Sequence, residues 1–175
     1  LGVDYPSRVV SIGGRYRFDD DWETPDTQVI SLEFEDGKAI SWEGLSCNGY
    51  GPDGTGFGAS FHGEDGTLVI SGSDYEVLDL ENQPVDLGTR RQTSVPDPSD
   101  ELHFNDFLNS IRTGEAPNSE IEGGHKSTLL MHLGNIALRT GHTLQCDPSN
   151  GHIRNAPEAE ALWEREYEKG WHPSV

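Results

Sequence analysis

The stretch HFNDFLNSIRTGEAPNSEIEGGHKSTLLMHLGNIALRTGHTL, residues 103–144, decides how the rest of the chain must fold. It predicts two helices, a loop between them and a short strand after them. Phe104, Phe107, Leu108 and Ile111 recur at the helical period and form one apolar stripe. That helix is expected to stop at Thr113-Gly114, with Pro117 just beyond. The second helix carries Leu129, Leu130, Met131, Leu133, Ile136, Ala137 and Leu138. Apolar around most of its girth, it is expected to be the buried one. Arg139-Thr140-Gly141 ends it with a cation in the last turn and a glycine just past it. The remaining residues read mostly as strand, so a sheet must cover this pair or be covered by it.

Working outward, residues 8–17 read as a strand in which Gly13-Gly14 marks a bulge or a close backbone approach. Residues 27–35 alternate, with Ile30, Leu32 and Phe34 facing one way and Val29, Ser31 and Glu33 the other. Asp36-Gly37 is a hairpin signal, and 38–46 is the return strand with Ile40 and Trp42 on one face. Asn48-Gly49 opens a second turn and a Gly-rich run to Gly58. Further strands are predicted at 58–63, 67–72 and 75–80, the first two separated by Glu64-Asp65-Gly66, which together give an antiparallel meander. Residues 81–98, with Pro84, Pro96 and Pro98, read as a connector, and Asp97-Pro98-Ser99-Asp100 as a helix start. After the helices come a closing strand at 142–146 and a last helix from near Asn155-Ala156-Pro157-Glu158 that carries Ala159, Leu162, Trp163 and Tyr167 on one face. The tail, 170–175, is expected to be loosely held.

The order defines an α+β fold: an open, mainly antiparallel sheet with helices on one face. It is read as a single domain over 1–175, with strands at about 8–80, the connector at 81–98, and helices and closing strand at 99–170. The uncovered sheet face must be wet or meet another chain, and a homo-oligomer through that face is expected.

Composition excludes several functions. A net charge of −19 argues against nucleic acid and anionic membrane as partners, since both need a basic footprint. No apolar run approaches the length needed to span a bilayer. Cys47 and Cys146 are too few for a disulfide framework or a structural zinc site and are read as free thiols. The acidic run Asp19–Glu23 lacks the glycine and distal glutamate of a calcium loop and is read as a solvated loop; no metal site is expected. The sequence opens at Leu1-Gly2-Val3 without an initiator Met, so a trimmed upstream segment is expected and the compartment stays undecided.

Gly123-Gly124-His125-Lys126-Ser127-Thr128 invites a phosphate-loop reading, but His125 separates the glycine from the lysine. It reads better as a helix N-terminus, whose free amides favour an anion. His125 and His132 share a helix face with Leu129 and Ile136. They are either a capping and a core histidine or the edge of a pocket; a zinc pair would need closer spacing and a third ligand. Asn48 and Tyr50 either hydrogen-bond a polar ligand or serve as turn chemistry and a packed aromatic. No nucleophile elbow, Cys–His pair or acid–base carboxylate pair stands out, so the residues alone define no catalytic set.

The run 103–144 resembles the "Phe…Phe-Leu…Ile-Arg-x-Gly…Pro…Glu-x-Gly-His-x-Ser" pattern that leads into a long helix in the C-terminal domain of the Gfo/Idh/MocA oxidoreductases. DDDWETPDTQ (19–28), WEGLSCNGYG (42–51) and NAPEAEALWEREYEKGWHP (155–173) are similar to a bacterial branch of that family. The resemblance implies a two-domain enzyme whose N-terminal Rossmann domain binds NAD or NADP. It also implies a Glu-Lys-Pro lysine and an Asp-x-Gly-x-His pair for proton transfer. The chain is read as lacking all three motifs, G-x-G-x-x-G included, so no catalytic or cofactor residue is carried over. What the resemblance leaves is a substrate-binding and oligomerisation domain of an enzyme acting on a sugar or polyol, silent and free of NAD(P) by itself. Asn48, Tyr50, His125 and His132 are its candidate pocket residues. The alternatives are a stand-alone sheet domain for binding or assembly, and the same domain in an NAD-dependent glycoside hydrolase.

Overall fold

Gln28, Ile30, Leu32 and Phe34 are buried while Val29, Ser31 and Glu33 are exposed, so the predicted alternation is the observed one. These residues belong to β2 (Thr27–Glu33), which hydrogen-bonds to β1 (Arg8–Gly14) in antiparallel register, with Val9 opposite Leu32 and Ser11 opposite Ile30. The computed structural model describes residues 1–51, 54, 56–72, 74–86 and 99–172. The other elements are β3 (Ala39–Leu45), β4 (Gly58–His62), β5 (Thr67–Ser71), β6 (Asp74–Leu78), α1 (Ser99–Thr113), α2 (Ile121–Thr140), β7 (Leu144–Gln145) and α3 (Pro157–Glu160). The architecture is the expected α+β one, with open antiparallel sheets and a few helices.

The chain divides into two compact units, Leu1–Gly44 with Ser119–Val175, and Leu45–Asn118. The first holds a four-stranded sheet in the order β3-β2-β1-β7, and the second a three-stranded one in the order β4-β5-β6. The strands therefore do not form one continuous meander. The break falls between Leu45 and Gly58, a connection longer than the two to five or so residues that keep a hairpin in register. The Asp36-Gly37 turn forms as expected: Gly37 has φ 79° and donates to the Phe34 carbonyl at 3.1 Å.

In the first unit, α2 lies on the sheet through Leu129, Leu133, Ile136 and Ala137, all buried. Leu130 and Met131 are half-buried against the same core and Leu138 is half-buried as well, whereas His125, Thr128, His132, Asn135 and Arg139 leave one flank of the helix polar and exposed. It also begins earlier than expected. Gly124 N–H already donates to the Glu120 carbonyl at 3.1 Å, which puts Gly123-Gly124-His125 inside the helix and not at its start. Gly141 closes it in the left-handed conformation with φ 67°, as the sequence predicts. Leu144 of β7, opposite Val9, is fully buried, and Cys146 beside it is buried, which pushes its thiol up to about 11.

The last helix is shorter than expected. α3 is one turn; Leu162 and Trp163 donate three residues back, to the carbonyls of Ala159 and Glu160, and this tightening ends it. The turn sets Trp163 flat against His152, ring centroids 4.3 Å apart. In the second unit, α1 ends at Gly114 with φ 76° as predicted, and its stripe of Phe104, Phe107 and Ile111 is exposed. Most of the predicted connector (87–98), the start of the α1 signal at Asp97-Pro98 and the last tail residues (173–175) lie outside the described residues.

Helix and sheet meet most closely at Gly134, where an added Cβ would sit 2.3 Å from Ile30 Cδ1 and 2.8 Å from its Cγ1. At Gly123, in the same helix, an added Cβ meets nothing within 4 Å. The same substitution should therefore have opposite signs at the two places. Gly123→Ala should raise stability by about 0.5–1 kcal/mol through helix propensity. Gly134→Ala should lower it by about 1–2 kcal/mol, because overpacking a filled core costs more than propensity returns. Thermal unfolding of the two variants followed by circular dichroism checks both signs.

Candidate functional site

On the exposed side of α2, His125, Thr128, His132, Asn135 and Arg139 recur every three or four residues and so form one polar stripe. This stripe is one wall of an open groove of about 1510 Å³ within the first unit. The facing surface comes from Gly13, Gly14 and Arg15 at the end of β1, Thr24 and Pro25 before β2, Gln28 of β2 and Trp42 of β3. Leu162 and Trp163 after α3 complete the lining.

Two polar side chains hold this geometry. Gln28 is buried, and its amide nitrogen donates to Ser11 Oγ at 3.1 Å, to Asn135 Oδ1 at 3.3 Å and to the Gly134 carbonyl at 3.4 Å. It ties the sheet to the helix. With its oxygen so engaged, Asn135 offers the groove an N–H donor. Asp26 holds the adjoining loop. Its carboxylate accepts the backbone N–H groups of Arg17 at 2.8 Å, Phe18 at 3.1 Å and Tyr16 at 3.2 Å, and the Thr27 hydroxyl at 2.9 Å. The Arg17 N–H first, then those of Phe18 and Tyr16 and the Thr27 hydroxyl, outweigh the opposing effect of burial and hold the carboxyl down at about 2. Arg15 braces the same loop by donating to the carbonyls of Trp22 and Phe18 and to Asp20 Oδ1. Gly13 lets the strand pass close by, since a Cβ there would lie 2.3 Å from the Thr27 carbonyl oxygen. This is the close approach that Gly13-Gly14 predicted.

The structure brings His125 and His132 together on the groove wall, two turns apart, which is about 10 Å along the axis. Beside His125, the Tyr5 ring stands edge-on at 6.4 Å, and Lys126 pairs with Asp4 at 2.7 Å. Asn48 and Tyr50 belong to the second unit and do not line this groove. There the Tyr50 N–H donates to Asn48 Oδ1 at 3.1 Å, and the Tyr50 ring is exposed.

Gln28, Asn135 and Asp26 carry no signal in the sequence that marks them for the groove, and Arg139 reads there only as the cation of a helix end. The stripe was readable as polar positions at helical spacing on α2; the bonds of Gln28 and Asp26 were not. Contrary to expectation, Gly49, Gly51 and Gly54 do fall in G-x-G-x-x-G register. The run lies between β3 and β4, and among the described residues no helix opens after it to receive a pyrophosphate at its N-terminus. Among the described residues no group of three His, Cys, Asp or Glu side chains could hold a metal ion, and no helix is long and apolar enough to cross a membrane.

The fold is that of a dehydrogenase C-terminal domain. Residues 60–173 match the model of the oxidoreductase family's C-terminal alpha/beta domain, and the chain belongs to the Gfo/Idh/MocA family. No curated protein matches it significantly. Among solved structures, it is similar to an oxidoreductase of Agrobacterium radiobacter in complex with NAD+, L-tartaric acid and magnesium (14% identity, TM-score 0.55, 81% of this chain and 43% of that one). A Klebsiella pneumoniae protein described as an oxidoreductase gives 12% identity, TM-score 0.60, and 90% and 47% coverage. The Bacillus subtilis protein yvaA, described likewise, gives 12% identity, TM-score 0.54, and 82% and 47% coverage. At these identities the likeness is one of fold, and the chain spans less than half the length of each of these proteins.

The Asp26 cage has a definite pH signature. Its folded pKa, about 2, lies below the ordinary 3.8. Its stabilisation is therefore complete above about pH 4 and is lost as pH falls toward 2. Asp26→Asn should lower the melting temperature at pH 7, and the gap to wild type should close between pH 4 and pH 2. Melting curves across that range check it; a gap that stays constant would remove the carboxylate from the explanation.

Proposed function

We propose that this chain is the substrate-binding half of a nicotinamide-dependent oxidoreductase that acts on a sugar or polyol. The carrying observation is the family match over residues 60–173, which includes the whole of α2, the helix that forms the groove wall. That wall suits a polyhydroxylated ligand: Thr128, Asn135 and the two histidines present donors and acceptors at successive turns above an apolar floor. His125 and His132 are its pocket residues. Asn48 and Tyr50 remain candidates on the second unit.

The described residues do not fit a dinucleotide. No strand among them runs through a Gly-rich turn into a helix, so no cradle for a pyrophosphate is built here. We therefore assign the NAD or NADP to another part of the intact protein. The role of this chain is to bind and orient the carbinol carbon that gives up the hydride.

The sheet face turned away from α2 carries Val10, Ile12 and Val29, with Ile12 67% exposed and Val29 opposite it in the ladder. We assign this face to a second copy of the chain, packed across a two-fold axis. Ile12→Glu should then shift the intact protein toward a smaller species in light scattering, with its fold retained.

In the intact enzyme, His132→Ala and Asn135→Ala should each raise the KM for the sugar or polyol substrate about tenfold or more, the effect of losing about 1.4 kcal/mol of binding. Affinity for NAD or NADP should be unchanged. The 175-residue chain alone should give no NADH fluorescence enhancement. NADH binding by that chain, or an effect of these variants on cofactor affinity alone, would refute the assignment.

A further inference from the structure

Trp42 lies in the groove in a way that depends on the residue two positions further along β3. A Cβ at Gly44 would fall 2.2 Å from Trp42 Cη2, 2.8 Å from Cζ2 and 2.9 Å from Cζ3. The six-membered ring of the indole thus fills the space that a side chain at 44 would occupy. It lies down along the strand instead of standing off it. Ile40, on the same strand face, packs against the core, so this face is the one turned toward α2. Trp42 is 39% exposed and lines the groove. The other tryptophan of the lining, Trp163, has its ring stacked on His152. Among the described residues Trp42 has no ring–ring or cation contact.

We propose that Trp42, held flat by the absence of a side chain at Gly44, is a stacking platform that selects a cyclic sugar, a pyranose, over an open-chain polyol. This rests on reading the groove as the substrate site. An aromatic ring has a negative face, which attracts the weakly positive hydrogens of C–H bonds. A pyranose gathers several C–H groups on one flat side and directs its hydroxyls outward around its rim. The groove presents the matching pair of surfaces, an exposed indole from the sheet and hydrogen-bonding groups at Thr128, His132 and Asn135 from the helix. An acyclic polyol has the hydroxyls but no flat C–H face, so it can use only the helix side.

The test is calorimetric titration of the intact protein with methyl β-D-glucopyranoside, methyl β-D-galactopyranoside, methyl α-D-mannopyranoside and sorbitol. At least one pyranoside should bind at least fivefold more tightly than sorbitol. Trp42→Ala should weaken that binding more than tenfold, and Trp42→Phe only a few-fold. Gly44→Ala keeps the tryptophan but displaces its ring, so it should also weaken pyranoside binding, at least fivefold, with a melting temperature close to wild type. This second variant keeps the test sound should Trp42→Ala fold poorly. If a pyranoside binds, His132→Ala abolishes binding and both Trp42→Ala and Gly44→Ala leave it unchanged, the platform is refuted and the groove stands. If none of the four probes binds, the groove reading and the platform fall together.

Discussion

Everything in the first unit follows from how closely α2 can approach the sheet. The helix touches down where it has no side chain, at Gly134, against the branched side chain of Ile30. That contact brings the Gly134 carbonyl and the Asn135 amide within reach of Gln28, a buried polar group that also donates to Ser11 Oγ within the sheet. The packing is thus apolar at its centre and hydrogen-bonded at its edge. Once Leu129, Leu133, Ile136 and Ala137 are committed to the sheet, helical geometry sets His125, Thr128, His132, Asn135 and Arg139 along the flank beside them. The functional wall flanks the packing face and shares Leu129 and Ile136 with it.

The two faces of the same sheet are built on different principles. The covered face mixes large apolar groups with gaps: at Gly13 and Gly44 of the sheet, and at Gly134 of the helix above it, the missing side chain lets a neighbour come close. The open face carries Val10, Ile12 and Val29, and the Arg8–Glu33 pair, 3.0 Å apart, sits beside them. The Asp26 cage bridges these roles, since it fixes the loop that begins where β1 ends and the groove wall starts.

Local chemistry was legible in the sequence and long-range chemistry was not. The alternation from Val29 to Phe34, the Asp36-Gly37 turn and the helix stops at Gly114 and Gly141 depend on neighbours a few residues away, and the sequence predicts each. The groove depends on register between β2 and α2, which are far apart in the chain. Gln28 looks like any polar strand residue until Asn135 is placed beside it. Asp26 is one of 31 acidic residues, and nothing local marks it as the one that gathers three backbone amides. The last helix failed for a related reason. Its apolar spacing was real, but Trp163 is drawn to His152, and the tightened turn that takes it there ends the helix.

The burial of Cys146 has a practical side. Its thiol, pushed up to about 11, carries almost no thiolate at neutral pH, and thiolate is the form that alkylating reagents attack. Cys47, by contrast, is exposed, and it belongs to the other unit. A maleimide dye added to the native chain would therefore mark one place only. The chain carries a single attachment point for a reporter, on the unit that does not contain the groove.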